Sequence, residues 1–380
     1  MDTAASTNIS STASVAEVIR TKILLTGLRK CGKTSIQEVL FKGLPTKDAF
    51  FIEPTTKVVK TAYDTVIPLE LWDCPGSLTI QTLPTPLSQF PTIVFIIDIQ
   101  DHHQQPITRL VELVITAYQE NQNVNLEVFV HKAEALSEEY KIENFKHIQQ
   151  RVLEELDDYD FGHIPVNFYL TSIYDHSLQD AFSKVVQKLI DSLPYIEDLL
   201  NVFCGNSQAT KAFLFDAKSR LYIATDASPV DSATHSLCSD FLLTLNSFSP
   251  LYKSVQASTF EERRELFPSQ LVQSPSASIQ PSPSASPRPP SSDKGKLPDS
   301  ARASDPSKAL FYPSASTSLS PGSTETTVTC HLITPQLALL ALIPTQTFEG
   351  RRGLVEYNVV YFREGVQEIW QVEREARTRG

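Results

Sequence analysis

The five cysteines, Cys31, Cys74, Cys204, Cys238 and Cys330, stand singly, with no CxxC pair and no Cys/His cluster. That excludes a zinc site of the usual spacing and gives no disulfide framework, so a reducing, cytosolic setting is expected. Basic charge is also scarce. Thirty-three Lys and Arg against 44 Asp and Glu give a net charge of −11, which leaves no broad basic surface, and no nucleic-acid partner is expected. Long apolar runs are missing too: the most apolar late run, Leu337 to Ile343, is far too short to span a bilayer. Residues 1–20 are polar and rich in Ser, Thr and Ala, so a signal peptide is not expected. Asp2 stands where N-myristoylation needs glycine, and Arg377-Thr378-Arg379-Gly380 contains no prenylation cysteine. No direct membrane insertion is therefore expected, and any membrane association should come through partners.

At 380 residues the chain is long enough for two domains with their own cores. Beyond a polar stretch at 1–20, expected to be disordered, strand-like apolar runs lie at about 22–26, 69–73, 92–98, 126–131 and 166–171. Helical spacing fills about 33–42, 106–120, 138–157 and 175–192 between them. This alternation predicts an α/β domain with a mostly parallel sheet over 21–194. Near Pro194 the pattern changes to a helix, a hairpin of two short strands (Ala212 to Asp216 and Leu221 to Thr225) and another helix. Residues 255–326 are dominated by Ser, Pro and small polar residues and predict a disordered insert. Strand-like sequence resumes at Thr327 to Ile333 and Leu337 to Leu342, and a closing helix is expected over 353–375. The expected second domain is therefore α+β, built from 195–254 and 327–376. No internal repeat is present.

The stretch that organises this pattern is Gly27-Leu28-Arg29-Lys30-Cys31-Gly32-Lys33-Thr34. It follows a predicted strand and opens a predicted helix, the context a phosphate-binding loop needs. The backbone of Arg29, Lys30, Cys31, Gly32, Lys33, Thr34 and Ser35 is the expected phosphate cradle, reinforced by the helix N-terminus. Lys33 can reach the terminal phosphates and the Thr34 hydroxyl can ligate Mg²⁺. Downstream, Asp73-Cys74-Pro75-Gly76 ends a strand. Its carboxylate can hold a Mg²⁺ water and the Gly76 N–H can bond a γ-phosphate. Between them, Thr55 can close over Mg²⁺ with its hydroxyl and over the γ-phosphate with its N–H; a solvated polar loop is the alternative. His131-Lys132-Ala133-Glu134 ends another strand. Glu134 can accept the two guanine edge donors and the Lys132 stem can lie along the purine face. His131 can tie loops together, or be a surface histidine at a strand end. Thr171-Ser172-Ile173 ends the last strand, with backbone able to contact the guanine O6.

Together these resemble the sequence boxes of a Ras-like GTPase, and more closely a Rag/Gtr GTPase of the Rag C/D type. The resemblance rests on the basic pair inside Gly27-Leu28-Arg29-Lys30-Cys31-Gly32-Lys33-Thr34-Ser35 and on His131-Lys132 in place of Asn-Lys. It rests also on Phe168 to Ser177, on Ala181 to Ile190, and on Lys211 to Asp216 with Tyr222 to Asp226. It implies a Ras-like domain followed by a roadblock-like dimerisation domain. The implied chemistry is hydrolysis of GTP to GDP, with Lys33, Thr55, Gly76 and Ser77 at the reacting phosphate and Mg²⁺ held by Thr34, Thr55 and, through water, Asp73. The implied partners are a Rag A/B-type GTPase, a scaffold complex, a GTPase-activating protein and the target-of-rapamycin complex. The implied place is the cytoplasm and the cytosolic face of the vacuole or lysosome.

The sequence departs from the family in three places, and from Ras-like proteins in general at Arg29-Lys30. Ser77 stands where hydrolytic members carry a water-orienting Gln. The segment Leu78 to Leu87 is short and contains Pro84 and Pro86, which disfavour a regular switch helix. Glu134 replaces Asp, one methylene longer. Arg29-Lys30 replaces small residues, and can block an arginine finger in trans or supply charge in cis. A nucleotide-bound, poorly hydrolysing structural subunit is thus a second reading, and a P-loop small-molecule kinase a third, for which no lid or second substrate site is visible. In the second domain, His331 is expected to be a packed or edge histidine, and Trp370 helix core or dimer interface.

Overall fold

Strand β4 (Thr92–Asp98) carries the apolar run Ile93 to Ile97, and every residue before Asp98 is buried. A strand buried on both faces reads as a continuous hydrophobic run, as in parallel sheets covered by helices. The computed structural model describes residues 19–65, 67–248, 258–259, 310–319 and 325–379. With β1 (Thr21–Gly27), β2 (Val59–Asp64), β3 (Pro68–Asp73), β5 (Asn125–His131) and β6 (Val166–Thr171), β4 forms a sheet in the order β2-β3-β1-β4-β5-β6. Only β2 runs antiparallel. Alternate side chains serve opposite faces. Ile23, Leu25, Val94 and Ile96 pack toward α1 (Lys33–Lys42) and α4 (Ser177–Gln187). Leu24, Ile93, Phe95 and Ile97 pack toward α2 (Gln104–Glu120) and α3 (Glu138–Asp158). This is the expected Ras-like α/β domain. The strand missing from the sequence reading is β2: in Val-Lys-Thr-Ala-Tyr-Asp only Tyr63 is buried, so an edge strand presents almost no apolar signal.

Of the two helices expected here, the first, read over 175–192, ends earlier than that. Helix α4 stops at Gln187 and α5 (Leu193–Ser207) starts anew with Pro194 in its first turn, where the missing N–H costs nothing. The second sheet is antiparallel throughout, with order β11-β12-β13-β7-β8, from β7 (Lys211–Asp216), β8 (Tyr222–Thr225), β11 (Ser314–Leu319), β12 (Thr326–Thr334) and β13 (Leu337–Pro344). A separate two-residue pair, β9 (Ser258–Thr259) with β10 (Leu310–Phe311), lies between. Helix α6 (Ser232–Phe248) covers one face through Cys238 and Leu242. Helices α5 and α7 (Thr345–Arg379, broken at Arg351 with φ −133°) cover the other. There His331 is buried and Trp370 packs against the core, as expected.

One boundary needs correction. Residues 314–319, read as part of a disordered insert over 255–326, form the edge strand β11, paired with β12 from Ser314–His331 to Leu319–Thr326. Ser-Ala-Ser-Thr-Ser-Leu has a polar, weakly hydrophobic pattern because an edge strand needs only one covered neighbour, and Ser318 adds a hydroxyl contact of 3.1 Å to Thr327. The rest of the expected insert, apart from β9, β10 and the stretches flanking β11, lies outside the described residues, as do residues 1–18.

The two sheets share one core. Phe182 and Val185 of α4, Phe203 of α5, Leu214 of β7, Leu339 of β13 and Phe362 of α7 belong to a single buried cluster. Polar contacts stitch the seam: Asp180 accepts from the Tyr222 hydroxyl at 2.7 Å, and the Tyr222 N–H donates to Ser183 Oγ at 3.0 Å. Among the described residues no helix is long and apolar enough to cross a membrane.

Candidate functional site

The phosphate loop leaves β1 at Gly27 and enters α1 at Lys33. Gly27 has φ +143°, and a Cβ there would lie 2.3 Å from the Ile96 carbonyl, so only glycine fits. Lys30, with φ +65°, holds a left-handed conformation without glycine's freedom, a strained position of the kind found at binding loops. The loop wraps around its own lysine. Lys33 Nζ donates to Gly27 O at 3.1 Å, to Leu28 O at 2.7 Å and to Cys31 Sγ at 3.4 Å, and the residue is only 5% exposed. Cys31 is buried, which pushes its thiol pKa up against the pull of the Lys33 charge. Arg29 and Lys30 are exposed on the outer side of the loop. Thr34 and Ser35 are half-buried in the first turn of α1, where helical N–H groups lack acceptors of their own and favour an anion.

Three oxygen ligands converge beside this loop. Thr34 Oγ1 donates to Asp73 Oδ2 at 2.7 Å, Thr55 Oγ1 donates to the same oxygen at 3.0 Å, and the two hydroxyls are 2.6 Å apart. Neighbouring ligands of an octahedral Mg²⁺ stand about 2.9 Å apart, given bonds of about 2.05 Å. The second carboxylate oxygen, Asp73 Oδ1, is buried without a hydrogen-bond partner, and burial raises the Asp73 pKa against the pull of Thr34, Thr55 and Lys33. A buried carboxylate with a spare oxygen and two hydroxyls is a hard, oxygen-only set that fits Mg²⁺. Thr55 is therefore turned inward, while Glu53, Pro54, Thr56 and Lys57 around it are exposed.

Gly76 lies against the phosphate loop, where a Cβ would fall 2.4 Å from the Arg29 N. Ser77 is exposed in the turn closed by the Leu78 N–H to the Pro75 carbonyl at 2.9 Å. As the prolines imply, the following segment forms only two 3₁₀ turns, Ile80–Thr82 and Leu87–Gln89.

On the base side, His131 is not a surface residue. It is 1% exposed, its Nδ1 lies 3.0 Å from Thr171 Oγ1, and its ring edge occupies the space a Cβ on Gly32 would need, 2.6 Å from Cδ2. It thus ties the ends of β5 and β6 to the phosphate loop. Lys132, at φ +64°, donates to Lys30 O at 2.7 Å and forms an ion pair of 2.5 Å with Asp98. Glu134 is exposed in the 3₁₀ turn Ala133–Ala135, with its carboxylate available to a base. In the last loop the Ser172 N–H is taken by Ser177 Oγ and the Tyr174 N–H by Ser172 Oγ. The Ile173 N–H between them has no partner among the described residues. Asp98 was not singled out from sequence, and Thr171 only for its backbone, although both end parallel strands, where ligands of open α/β sheets gather. Arg109 of α2, bonded to the Gly76 carbonyl at 3.0 Å, carried no local signal at all.

Residues 22–242 match the family model described as the Gtr1/RagA G protein conserved region. The chain belongs to the Rag/Gtr family of GTPases. It is similar to GTP-binding protein gtr2 of Schizosaccharomyces pombe, 41% identical over 235 residues covering 61% of this chain and 75% of that protein. Ras-related GTP-binding protein C of Homo sapiens is 34% identical over 366 residues, 94% of this chain and 78% of its own length. GTP-binding protein GTR1 of Saccharomyces cerevisiae is only 23% identical over 225 residues, 57% of this chain and 72% of its own. The chain is thus of the Rag C/D type.

A Rag/Gtr GTPase cleaves GTP to GDP and phosphate, a reaction carried by positioning and charge neutralisation. Lys33 supplies a buried positive charge at the loop, and the first turn of α1 adds oriented N–H groups. Gly76 is held against Arg29, where its N–H would be near a γ-phosphate on the loop. Mg²⁺, when bound, would be held by Thr34 and Thr55 and, through water, by Asp73, and would neutralise charge on the phosphate oxygens. Glu134, Lys132 and the Ile173 N–H are the groups that this end of the site would present to a base.

The His131 tie has a pH consequence. Burial lowers its pKa from 6.5 to about 4, so the folded protein keeps it neutral. The unfolded chain binds the proton more readily, so the stability is complete above pH 6.5 and is lost as pH falls toward 4. At pH 5 this one group costs about 2 kcal/mol relative to pH 7.5. His131→Asn, which does not titrate, should lose less stability between these pH values than the wild type by about that amount, read from urea unfolding at each pH. Equal losses would show that His131 does not titrate as a buried group.

Proposed function

We propose that this protein is a guanine-nucleotide switch subunit of a Rag-type heterodimer that signals amino-acid sufficiency to the target-of-rapamycin complex. Its place is the cytosolic face of the vacuole or lysosome, where a scaffold complex tethers it. The observation that carries the proposal is the joining of a complete nucleotide site to a second unit with an unpartnered apolar face. The order of that unit, α5-β7-β8-α6-β11-β12-β13-α7, supports reading it as a roadblock-like dimerisation domain. On α7, Leu354, Tyr357, Tyr361 and Val372 are 44–68% exposed. At 100° per residue they share one stripe, away from buried Val355, Val359, Phe362 and Val366. Tyr195 and Val202 of α5, two turns apart, are exposed as well. A Rag A/B-type GTPase is the partner proposed to cover this face. Co-expression with a Rag A/B-type protein should give a 1:1 complex, and Tyr357→Asp together with Tyr361→Asp should abolish it while leaving GDP binding intact. A complex unaffected by the two charges would move the interface elsewhere.

A second reading, a subunit that binds GTP but barely cleaves it, is favoured by one observation. Ser77 is exposed, and its side chain is too short to orient an attacking water. Single-turnover cleavage should be slow for the wild type and about 100-fold faster for Ser77→Gln, the low end of the range a positioned group contributes. An activating protein should raise the wild-type rate as well. A wild type already as fast as the variant would remove Ser77 as the limiting feature.

A further inference from the structure

We propose that Arg109 is a positioning residue that latches the Gly76–Leu78 turn onto the phosphate loop and so makes the site hold GTP in preference to GDP. The proposal rests on reading the site as a GTP/GDP switch. Arg109 extends from α2, and its guanidinium donates through Nη1 to Gly76 O at 3.0 Å and through Nη2 to Leu78 O. The two acceptors flank Ser77. A planar, permanently charged fork with two parallel donors is suited to gripping two carbonyls at a fixed spacing. Gly76 is otherwise the most permissive position in the segment. Gripping its carbonyl fixes the 76–77 peptide plane, and the close packing of Gly76 on Arg29 limits rotation on the other side of its Cα, so together they confine the 75–76 plane whose N–H would meet the γ-phosphate.

The surroundings show why this latch carries weight. Gly76 is already pressed against the loop, with the Arg29 N in the space of a Cβ. Beyond it, the segment from Leu78 to Leu83 arches over a cavity of about 210 Å³ floored by Leu24, Thr26 and Phe95 and bordered by Arg109 itself. Ser77, Thr79, Gln81, Thr82, Pro84 and Pro86 are exposed, and the chain is next seated at buried Leu87 and Phe90. Leu78, Ile80 and Leu83 pack only partly against the core and the Thr79–Thr82 hydrogen bonds lie within the segment, so few other contacts fix its position against the loop. GDP has no γ-phosphate and makes no demand on Gly76. Loss of the latch should therefore weaken the grip on GTP and leave GDP nearly untouched.

The test is dissociation of fluorescent GTP and GDP from wild type, Arg109→Lys and Arg109→Ala, with thermal melting of the GDP-bound proteins as the control for folding. For Arg109→Ala, GTP release should accelerate about 10- to 100-fold, as expected for losing hydrogen bonds from a charged donor, while GDP release changes less than about 3-fold. Arg109→Lys keeps the charge and the stem but not the fork, and should fall between. Its two off-rates decide the matter if the alanine variant does not fold. Failure of the wild type to retain GDP would overturn the switch reading itself. Equal acceleration of GTP and GDP, or no change in either, would overturn the latch alone.

Discussion

Lys33→Ala should lose affinity for GTP and GDP by about 30- to 5,000-fold, the range for removing one partner of a buried charged contact at about 2–5 kcal/mol. The reason is where the ammonium sits. It is nearly fully buried inside the loop and shared between Gly27 O, Leu28 O and Cys31 Sγ, so no neighbour can move in to replace it. Arg29 and Lys30 are exposed on the outside of the loop and cannot supply charge from within. The variant should still fold, because the core beneath the loop, Ile23, Leu25, Ile36 and Leu40, is untouched. Filter binding or calorimetry of the nucleotide-free protein checks this. Binding within about 3-fold of wild type would mean that Lys33 does not face the phosphates.

Phe182→Ala should destabilise both units at once. Phe182 is fully buried, with ring centroids 5.2 Å from Phe41 and 6.1 Å from Phe129. Its cluster continues without a break into α5, β7, β13 and α7. Truncating such a ring costs about 3–5 kcal/mol, a large part of the 5–15 kcal/mol of a folded domain. The chain has two tryptophans, and they report on different units. Trp72 is buried in β3 of the first sheet and Trp370 packs on the core from α7. In single-tryptophan versions, Trp72→Phe and Trp370→Phe, urea transitions should coincide and shift together on Phe182→Ala. A shift seen at Trp72 but not at Trp370 would contradict a shared core.

What could be read in the sequence depended on how each residue does its work. The parallel strands were legible because burial on both faces makes them continuous apolar runs, as in Ile93 to Ile97. The edge strands β2 and β11 were not, since one buried Tyr63 or a row of Ser and Thr leaves no period to detect. The phosphate loop was legible as a contiguous motif whose glycines answer to specific φ values. Thr55 and His131 were legible only as candidates, because each has a plausible surface role until the fold turns it inward. Asp98, Thr171 and Arg109 act across gaps that only folding closes: Lys132 meets Asp98 from 34 positions away, and Arg109 meets Gly76 from 33. Ordinary charged residues on strand ends and helices carry no local mark of such contacts.

The central claim is that this site binds guanine nucleotides with Mg²⁺ through Glu134, Lys132 and the phosphate loop. Competition against fluorescent GDP on the purified chain tests it most directly. GTP and GDP should displace the probe at near-stoichiometric concentrations in Mg²⁺. ATP should require about 10⁴-fold more, the discrimination available when buried polar groups are left unpaired by the wrong base. Chelation of Mg²⁺ should speed release. Displacement by ATP at the same concentrations as GTP would contradict the account.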